Sequence, residues 1–392
     1  MVKVNKGINM INYKFVKLLF VFFMIFCLVG CTAKKETDNI TTEVLINKGF
    51  PKDINVTLFY KQYKDLIGIQ RSETYNLNNK GLSKTEMQYI QGCYSIFPQK
   101  SLTAISNNLG YKDEDALIQA FGQPFIYKKY ELGEIFLFEG VVVGKDTFTV
   151  FLNIDGKIKT VKINHPSGNA AIGICHEKND VYVVSSSEDQ TEIVLYKIDI
   201  NNCNLKMYNI PVSNFGLNRV LLYTDSNLVH NNILYVIPKT MDGYTSYILM
   251  YNLKDNICKK IHNKNGVSSN IFDMGDKLLV LNRGYTKGSS SMDSLYIDYY
   301  DYDLGFLCSE GIPFEKNMQM EFIMRNFCYY YDNKIMGTIN SIDDNRKNYV
   351  FIYDMNKKQL IYFSKLIQND EKLLLNDDLF TYKKNNDSYH IF

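Results

Sequence analysis

The sequence predicts a mainly β protein: a β-propeller of about six four-stranded blades, with seven as the alternative, and a small helical module near the N-terminus. Three observations support this fold. Tyr and Phe are abundant at 30 and 24 residues while Pro contributes only 7, a composition that favours strands. A pattern of strands and turns recurs about every fifty residues, which is typical of propellers and solenoids. The last copy of the pattern is only half a unit long.

The repeat is most visible in an aromatic strand that comes shortly before a turn. The aligned residues, at intervals of 55, 49 and 53 positions, are Tyr196, Tyr251, Tyr300 and Tyr353. If they are equivalent, their strands occupy the same place in successive sheets, and neighbours such as Leu249 and Phe351 pack between blades. One complete unit has strands at 172–175, 181–184, 193–199 and 205–210. A β-sandwich or an open stack of sheets is the competing architecture.

Residues 124–392 hold the repeats, and the final unit at 372–392 is only half complete. The N-terminal strands within 43–81 are predicted to complete that sheet, because closing the ring removes an unpaired edge that would invite aggregation. The candidate closing strands are 43–46 and 55–60.

Residues 82–123 break the strand pattern and predict a small helical module. Ser83-Lys84-Thr85-Glu86 matches a capping box leading into a helix over 87–97, which Pro98 ends. A second short helix runs from Ser101 to Gly110. A third is capped by Asp113 and closed at Gly122.

The N-terminus carries an apolar run from Leu18 that follows two lysines and closes with Leu28-Val29-Gly30-Cys31. This resembles the bacterial lipoprotein signal. The resemblance implies that residues 1–30 are a signal peptide and that Cys31 is acylated, which anchors the chain in the cell membrane on its extracytoplasmic face. An ordinary membrane-anchoring helix is the alternative, but the run is shorter than the roughly 20 residues of a span. Residues 31–42 are polar and predict a flexible tether.

The charge of the chain argues against a nucleic-acid partner. Without the four lysines of 1–30, 44 − 4 = 40 basic residues face 42 acidic ones, a net charge of −2, and this gives no basic footprint. Residues 104–113 followed by Phe121 resemble part of an AraC-type helix-turn-helix. Gly122-Gln123-Pro124 replaces the basic residues that follow in that family, so no DNA contact is predicted.

Six cysteines follow Cys31 and contain no CxxC pair. Several fall at similar places in different repeats, where their Cα atoms would lie farther apart than the roughly 7 Å that a disulfide tolerates. We therefore expect mostly free thiols, with a pairing between non-equivalent positions left open. The six are Cys93, Cys175, Cys203, Cys258, Cys308 and Cys328.

The sequence contains no phosphate loop, HExxH, GxSxG or dinucleotide-binding glycine pattern, and its five histidines are isolated. It therefore predicts neither an enzyme nor a cofactor or metal site. One asymmetry stands out: the loops between second and third strands are long and polar, whereas the other turns are short. In a propeller these loops share one face, and ligands often bind on loops held by a rigid scaffold. Solvated hairpin ends are the competing interpretation. The candidate binding residues are Glu188, Asp189, Asp242, Tyr244, Arg283, Tyr285, Lys287, Asp293, Asp343, Asp344 and Arg346.

Tyrosines beside mixed charges suit contacts with proteins or carbohydrates. The predicted function is therefore a lipid-anchored propeller that binds an unknown protein or glycan through this face. Two alternatives stay open: a propeller-scaffold enzyme such as a glycosidase or lyase, and a structural envelope lipoprotein.

Overall fold

The computed structural model describes residues 56–61, 71–78, 81–90, 96–142, 145–165, 170–222, 227–238, 247–263, 265–285, 292–312, 320–321, 328–331, 333–341, 348–365, 374–376, 379–384 and 387–391. Within these residues the chain is mainly β, with six antiparallel sheets and two α-helices. The predicted signal peptide, the tether, Cys31 and the candidate strand 43–46 lie outside the described residues.

Four strands and two helices precede the repeats. They are β1 (Val56–Lys61), β2 (Arg71–Asn78), β3 (Gly81–Ile90), β4 (Ile96–Pro98), α1 (Gln99–Asn108) and α2 (Glu114–Phe121).

The repeats follow as consecutive blades, each an antiparallel meander. Blade 1 contains β5 (Gln123–Tyr130), β6 (Gly133–Val142), β7 (Lys145–Ile154) and β8 (Lys157–Asn164). Blade 2 contains β9 (Ala170–Glu177), β10 (Asp180–Ser186), β11 (Glu192–Asp199) and β12 (Leu205–Pro211). Blade 3 contains β13 (Asn227–His230), β14 (Ile233–Val236), β15 (Tyr247–Asn252) and β16 (Cys258–His262). Blade 4 contains β17 (Val267–Asp273), β18 (Leu278–Tyr285), β19 (Met292–Tyr300) and β20 (Phe306–Ile312).

Blade 5 differs in having two short strands, β21 and β22, on the same edge of β23. It contains β21 (Met320–Glu321), β22 (Cys328–Tyr331), β23 (Lys334–Ser341), β24 (Asn348–Asp354) and β25 (Gln359–Lys365). The last strands are β26 (Leu374–Asn376), β27 (Leu379–Lys384) and β28 (Asp387–Ile391). First strands of neighbouring blades contact each other, β5 with β9, β9 with β13 and β13 with β17. Six successive antiparallel sheets, with the first strands of blades 1 to 4 side by side, are the architecture of a β-propeller, as the sequence predicted.

The last sheet is completed by the beginning of the chain. β1, which covers most of the candidate strand 55–60, pairs antiparallel with β28, so that Leu58 lies opposite Ile391. It thereby supplies the fourth strand of blade 6, after β26, β27 and β28. The outer side of β1 pairs in turn with β2, and the sheet continues to β4. The outer edge of blade 6 is therefore covered.

The helical module contains two of the three predicted helices. α2 is capped as expected, because the Ala116 backbone N–H donates to Asp113 Oδ1 at 2.9 Å, and Gly122 follows with a φ of 89°. The helix predicted over 87–97 is wrong. Residues 83–90 belong to β3, where Ser83 lies opposite Asn76 of β2. Pairing with a neighbouring strand outweighs the local capping signal there.

The two helices are held on blade 1 by an apolar cluster and a shared carboxylate. Leu102 of α1 and Leu117 of α2 pack on Phe136 and Phe151 of blade 1. Glu134 accepts hydrogen bonds from Ser101 Oγ at 2.9 Å, Tyr127 Oη at 3.0 Å and Asn153 Nδ2 at 2.8 Å. A single side chain therefore ties α1 to three strands of blade 1.

The four aligned tyrosines all lie in the third strands of blades 2 to 5, and each is buried against the preceding blade. One of them is out of register. Tyr251, Tyr300 and Tyr353 directly precede an Asn or Asp, whereas Ile198 holds that position in blade 2 and Tyr196 lies two residues earlier. A shift of two residues keeps the side chain on the same face of the sheet.

The Asn or Asp at this position starts the turn to the fourth strand in each blade. Its Oδ1 accepts a backbone N–H from two or three residues further on. The four acceptors are Asp199, Asn252, Asp301 and Asp354, and the donor distances are 2.8, 2.9, 2.9 and 3.0 Å. These residues therefore define the register of the repeat better than the tyrosines do.

Cys175, Cys203, Cys258 and Cys308 form no disulfide. They lie in blades 2, 3 and 4. Cys93 lies outside the described residues, and only the backbone of Cys328 is described.

Candidate functional site

The two faces of the propeller differ in the length of their connections. In a four-stranded meander, the loop between second and third strands lies at the same end as the connection to the next blade. We call this the long-loop face and the opposite one the short-turn face. Second and third strands are joined by 187–191, 237–246, 286–291 and 342–347 in blades 2 to 5. The first-to-second turns of blades 2 and 3 are only 178–179 and 231–232, and the third-to-fourth turns of blades 2 to 5 are 200–204, 253–257, 301–305 and 355–358. The loop 187–191 of blade 2 is no longer than these third-to-fourth turns, so the difference between the faces rests on blades 3 to 5. Blade 1 departs from the pattern, because 143–144 alone join its second and third strands.

The structure describes the side chains of two of the eleven candidate residues, Glu188 and Asp189, both exposed on the long-loop face. Three more lie in strands of which only the backbone is described. These are Arg283 and Tyr285 at the loop end of β18 and Asp293 at the start of β19. The other six lie outside the described residues: Asp242, Tyr244, Lys287, Asp343, Asp344 and Arg346.

Asp189 organises its own loop. Ser187 Oγ donates to Asp189 Oδ1 at 2.7 Å, and Thr191 donates to the same oxygen from its backbone N–H at 3.1 Å and from its hydroxyl at 2.8 Å. These hydrogen bonds hold the pKa of Asp189 below its ordinary value, because they stabilise the charged carboxylate. Oδ1 of Asp189 thus accepts hydrogen bonds within its own loop and stabilises the shape of that loop.

The connection from blade 2 to blade 3 packs against this loop and fixes it. The Val212 N–H donates to the Thr191 carbonyl at 2.8 Å, and the Val220 N–H donates to the Gln190 carbonyl at 2.9 Å. Val212 begins a short 3-10 helix, and both valines are buried. Blade 2 therefore presents a rigid rim that carries the exposed charges of Glu188 and Arg219.

A buried polar network lies at the interface between blades 3 and 4. Asp298 is fully buried and accepts hydrogen bonds from Asn282 Nδ2 at 2.8 Å and from Asn265 Nδ2 at 2.7 Å. Asn282 accepts in turn from Asn263 Nδ2, which also donates to Ser268 Oγ at 2.7 Å. Since these groups are bonded to one another inside the protein, the network fixes the connection that leads from blade 3, at Asn263 and Asn265, to the strands of blade 4 beneath the long-loop face. The network was not predicted from the sequence.

A second polar cluster lies on the short-turn face. His230 Nδ1 lies 2.6 Å from Asp273 Oδ2, and its Nε2 lies 2.7 Å from Asn231 Nδ2. The Tyr302 ring stacks on His230 with centroids 3.8 Å apart, and its hydroxyl donates to Asp273 Oδ1 at 2.7 Å. Burial, and then the hydrogen bond to Asp273, raise the pKa of Tyr302. A histidine–aspartate pair suits general-base chemistry. Here both ring nitrogens of His230 already have hydrogen-bond partners, Asp273 and Asn231. Because Asp273 and Tyr302 belong to blade 4, the cluster joins blades 3 and 4.

Among the residues that the structure describes, no group of three or more His, Cys, Asp or Glu side chains is arranged to hold a metal ion. In the same part of the chain, no helix has the length and apolarity needed to cross a bilayer.

No protein-family model matches the chain. A search of curated proteins likewise found no match. Solved structures with weak similarity include the β-propeller domain of the Trilobed protease from Pyrococcus furiosus, described as having an open velcro topology. It is 10% identical with a TM-score of 0.41, over 68% of this chain and 78% of that one. The uncharacterized protein lmo1340 from Listeria monocytogenes EGD-e is 12% identical with a TM-score of 0.43, over 86% of this chain and 90% of that one. Hsv2p from Kluyveromyces lactis is 12% identical with a TM-score of 0.39, over 85% of this chain and 90% of that one.

Proposed function

We propose that this protein is a lipid-anchored, extracytoplasmic β-propeller that binds a protein or glycan partner through its long-loop face. The observation that supports this most is the difference between the two faces. In blades 3 to 5, the longer connections gather on one face of a rigid scaffold, where binding residues are commonly found.

The chemistry of the long-loop face suits binding. Tyr244 and Tyr285 offer large, rigid apolar surfaces with a polar tip, and Asp242 and Arg283 add charges of both signs. On blade 2, Glu188 lies on the loop that Asp189 holds in place, and Arg219 lies on the connection packed against this loop, so both signs of charge are present.

A glycosidase would need two carboxyl groups about 5–9 Å apart on either side of a bound sugar. Of the two candidate carboxylates with described side chains, Asp189 is engaged in its own loop. On the short-turn face, Asn231 occupies the second nitrogen of His230. These contacts favour binding over catalysis as the proposed role.

The binding proposal is tested by capturing partners on the full-length protein in intact cell envelopes after chemical cross-linking. We expect Tyr244→Ala/Arg283→Ala to reduce captured partner by about tenfold or more, since such residues often dominate an interface. The matched control is Lys254→Ala/Asp276→Ala, on the exposed short-turn face, which should capture as much as the natural protein.

Equal capture by the two double variants would reject the long-loop face as the binding surface. Failure of the natural protein to capture any partner would favour the structural envelope lipoprotein instead.

The anchor makes a separate prediction. Cys31→Ala should abolish incorporation of a labelled fatty acid, because the acylated thiol is gone, and should leave the precursor uncut or release the protein. Cys93→Ala serves as the control and should label normally. Labelling that persists in Cys31→Ala would refute the lipoprotein assignment.

A further inference from the structure

The outer strands of blades 2 and 4 are apolar at both ends, yet only one end is exposed. In β12, Leu205 is 42% exposed at the short-turn end, whereas Ile210 at the long-loop end is fully buried. In β20, Leu307 is 52% exposed and Ile312 only 5%. The contrast within each strand shows that the exposure belongs to the short-turn end of the blades.

All the large apolar side chains that are exposed in the described part of the chain lie at this end of three consecutive blades. We call them the rim band: Leu205 and Met207 in blade 2, Ile257 just before β16 in blade 3, and Phe306 and Leu307 in blade 4. Leu307 is also the extra residue of a β-bulge, since Phe306 lies opposite Tyr300 and Cys308 opposite Tyr299. Apolar side chains exposed at the same end of consecutive repeats are candidates for an interaction surface.

The entry point of the chain indicates what covers the band. β1 is the fourth strand of blade 6 and runs antiparallel to β28, with Leu58 opposite Ile391 and Lys61 opposite Ser388. Fourth strands begin at the short-turn end, directly after the third-to-fourth turn. β1, the first described strand, therefore begins with Val56 on the side that carries the rim band.

We propose that the rim band lies on the surface of the lipid bilayer and that it orients the anchored propeller with its long-loop face away from the membrane. This inference rests on the lipid anchor proposed above. The anchor raises the local concentration of bilayer around the band, so that a weak apolar contact suffices. Amphipathic surfaces of this kind bury their apolar side chains about 5–10 Å into the boundary between headgroups and acyl chains.

Charge has a minor part in this contact. The exposed lysines beside the band, Lys206 and Lys254, are accompanied by the exposed carboxylates Asp255 and Asp303. Because the charges balance, apolar insertion has to supply most of the attraction. We therefore expect the contact to persist on uncharged phosphatidylcholine and in salt that screens surface charges.

The absence of tryptophan from the sequence makes a site-specific test simple. The full-length lipoprotein is reconstituted in phosphatidylcholine vesicles with brominated acyl chains, which quench tryptophan on contact. Single reporters are Met207→Trp and Leu307→Trp in the rim band. Asn218→Trp, exposed on the long-loop face, is the matched control. We expect the rim reporters to lose about half of their fluorescence, as for side chains buried at the acyl boundary, and the control to lose almost none.

Adding Met207→Asp and Ile257→Asp to the Leu307→Trp reporter should restore most of its fluorescence. Two failures are distinguishable. If the protein does not float with the vesicles, the anchor itself is refuted. If it floats but the rim reporters are quenched no more than Asn218→Trp, the rim band does not touch lipid and the inference is overturned.

Discussion

Replacing Phe351 with alanine is expected to lower the free energy of unfolding by about 3–5 kcal/mol, the usual cost of removing a buried phenyl ring. Phe351 is fully buried in β24. It packs with Leu279 and Ile297 of blade 4 and with Tyr353 of its own blade. The alanine would leave a cavity between two sheets that are themselves rigid, so little relaxation is available to reduce the loss.

The effect is measured by urea unfolding followed by far-ultraviolet circular dichroism, since the chain has no tryptophan. Phe306→Ala removes the same ring from the outer strand of blade 4, where Phe306 is 37% exposed. It should cost about 1 kcal/mol or less, because surface substitutions rarely cost more. Equal losses for the two variants would contradict the placement of Phe351 in the core between blades.

The sequence predicted the repeat because each blade needs the same local features: alternating apolar residues, an aromatic residue facing the previous blade, and an Asn or Asp that starts a turn. Leu249 and Phe351 were expected between blades, and both are buried there. Tyr196 was aligned two residues out of register because residues i and i+2 of a strand share a face. The turn residue Asp199 would have corrected the alignment, since its equivalents recur in every blade from 2 to 5.

The wrong helix over 87–97 has a different cause. Ser83 to Glu86 satisfy the rule for a helix start, which depends on neighbouring residues only. The fate of this segment depends instead on the strand beside it, because β2 pairs with β3 on both sides of a bulge, with Ser83 opposite Asn76 and Gln88 opposite Glu73. A rule based on neighbouring residues takes no account of a pairing strand that lies elsewhere in the chain.

The polar clusters were missed for a related reason. Asn282 and Asp298 are separated by 16 residues and meet through the pairing of β18 with β19, whereas His230 and Asp273 are separated by 43 residues and meet through the packing of blade 3 on blade 4. One signal was present: Asn282 and Asp298 occupy inward positions of apolar strands, next to Leu281 and Ile297. A polar residue at a core position requires a partner, and this could have been predicted without knowing which partner it is.

Asn282→Leu is expected to lower the free energy of unfolding by about 3 kcal/mol, since a buried polar group deprived of its hydrogen bond costs about 1–3 kcal/mol and a charged one more. The substitution keeps a similar volume. It removes the donor to Asp298 Oδ2 and the acceptor of Asn263 Nδ2. Asp298 is fully buried, so water cannot readily replace the lost donor.

The double variant Asn282→Leu/Asp298→Leu separates the cost of a buried charge that has lost its hydrogen-bond donor from the cost of altered packing. Asp298→Leu alone removes the acceptor of both Asn282 and Asn265 and should also destabilise the protein. Together the two changes replace a charged group and its donor by apolar side chains, which is often close to neutral. We expect the double variant to lose less stability than the sum of the single variants, by about 1–3 kcal/mol in urea unfolding. Strict additivity would mean that Asn282 does not stabilise the Asp298 carboxylate. The polar network would then contribute through its shape alone, and blade 4 would dock on blade 3 through the apolar contacts of Tyr300 and Ile248.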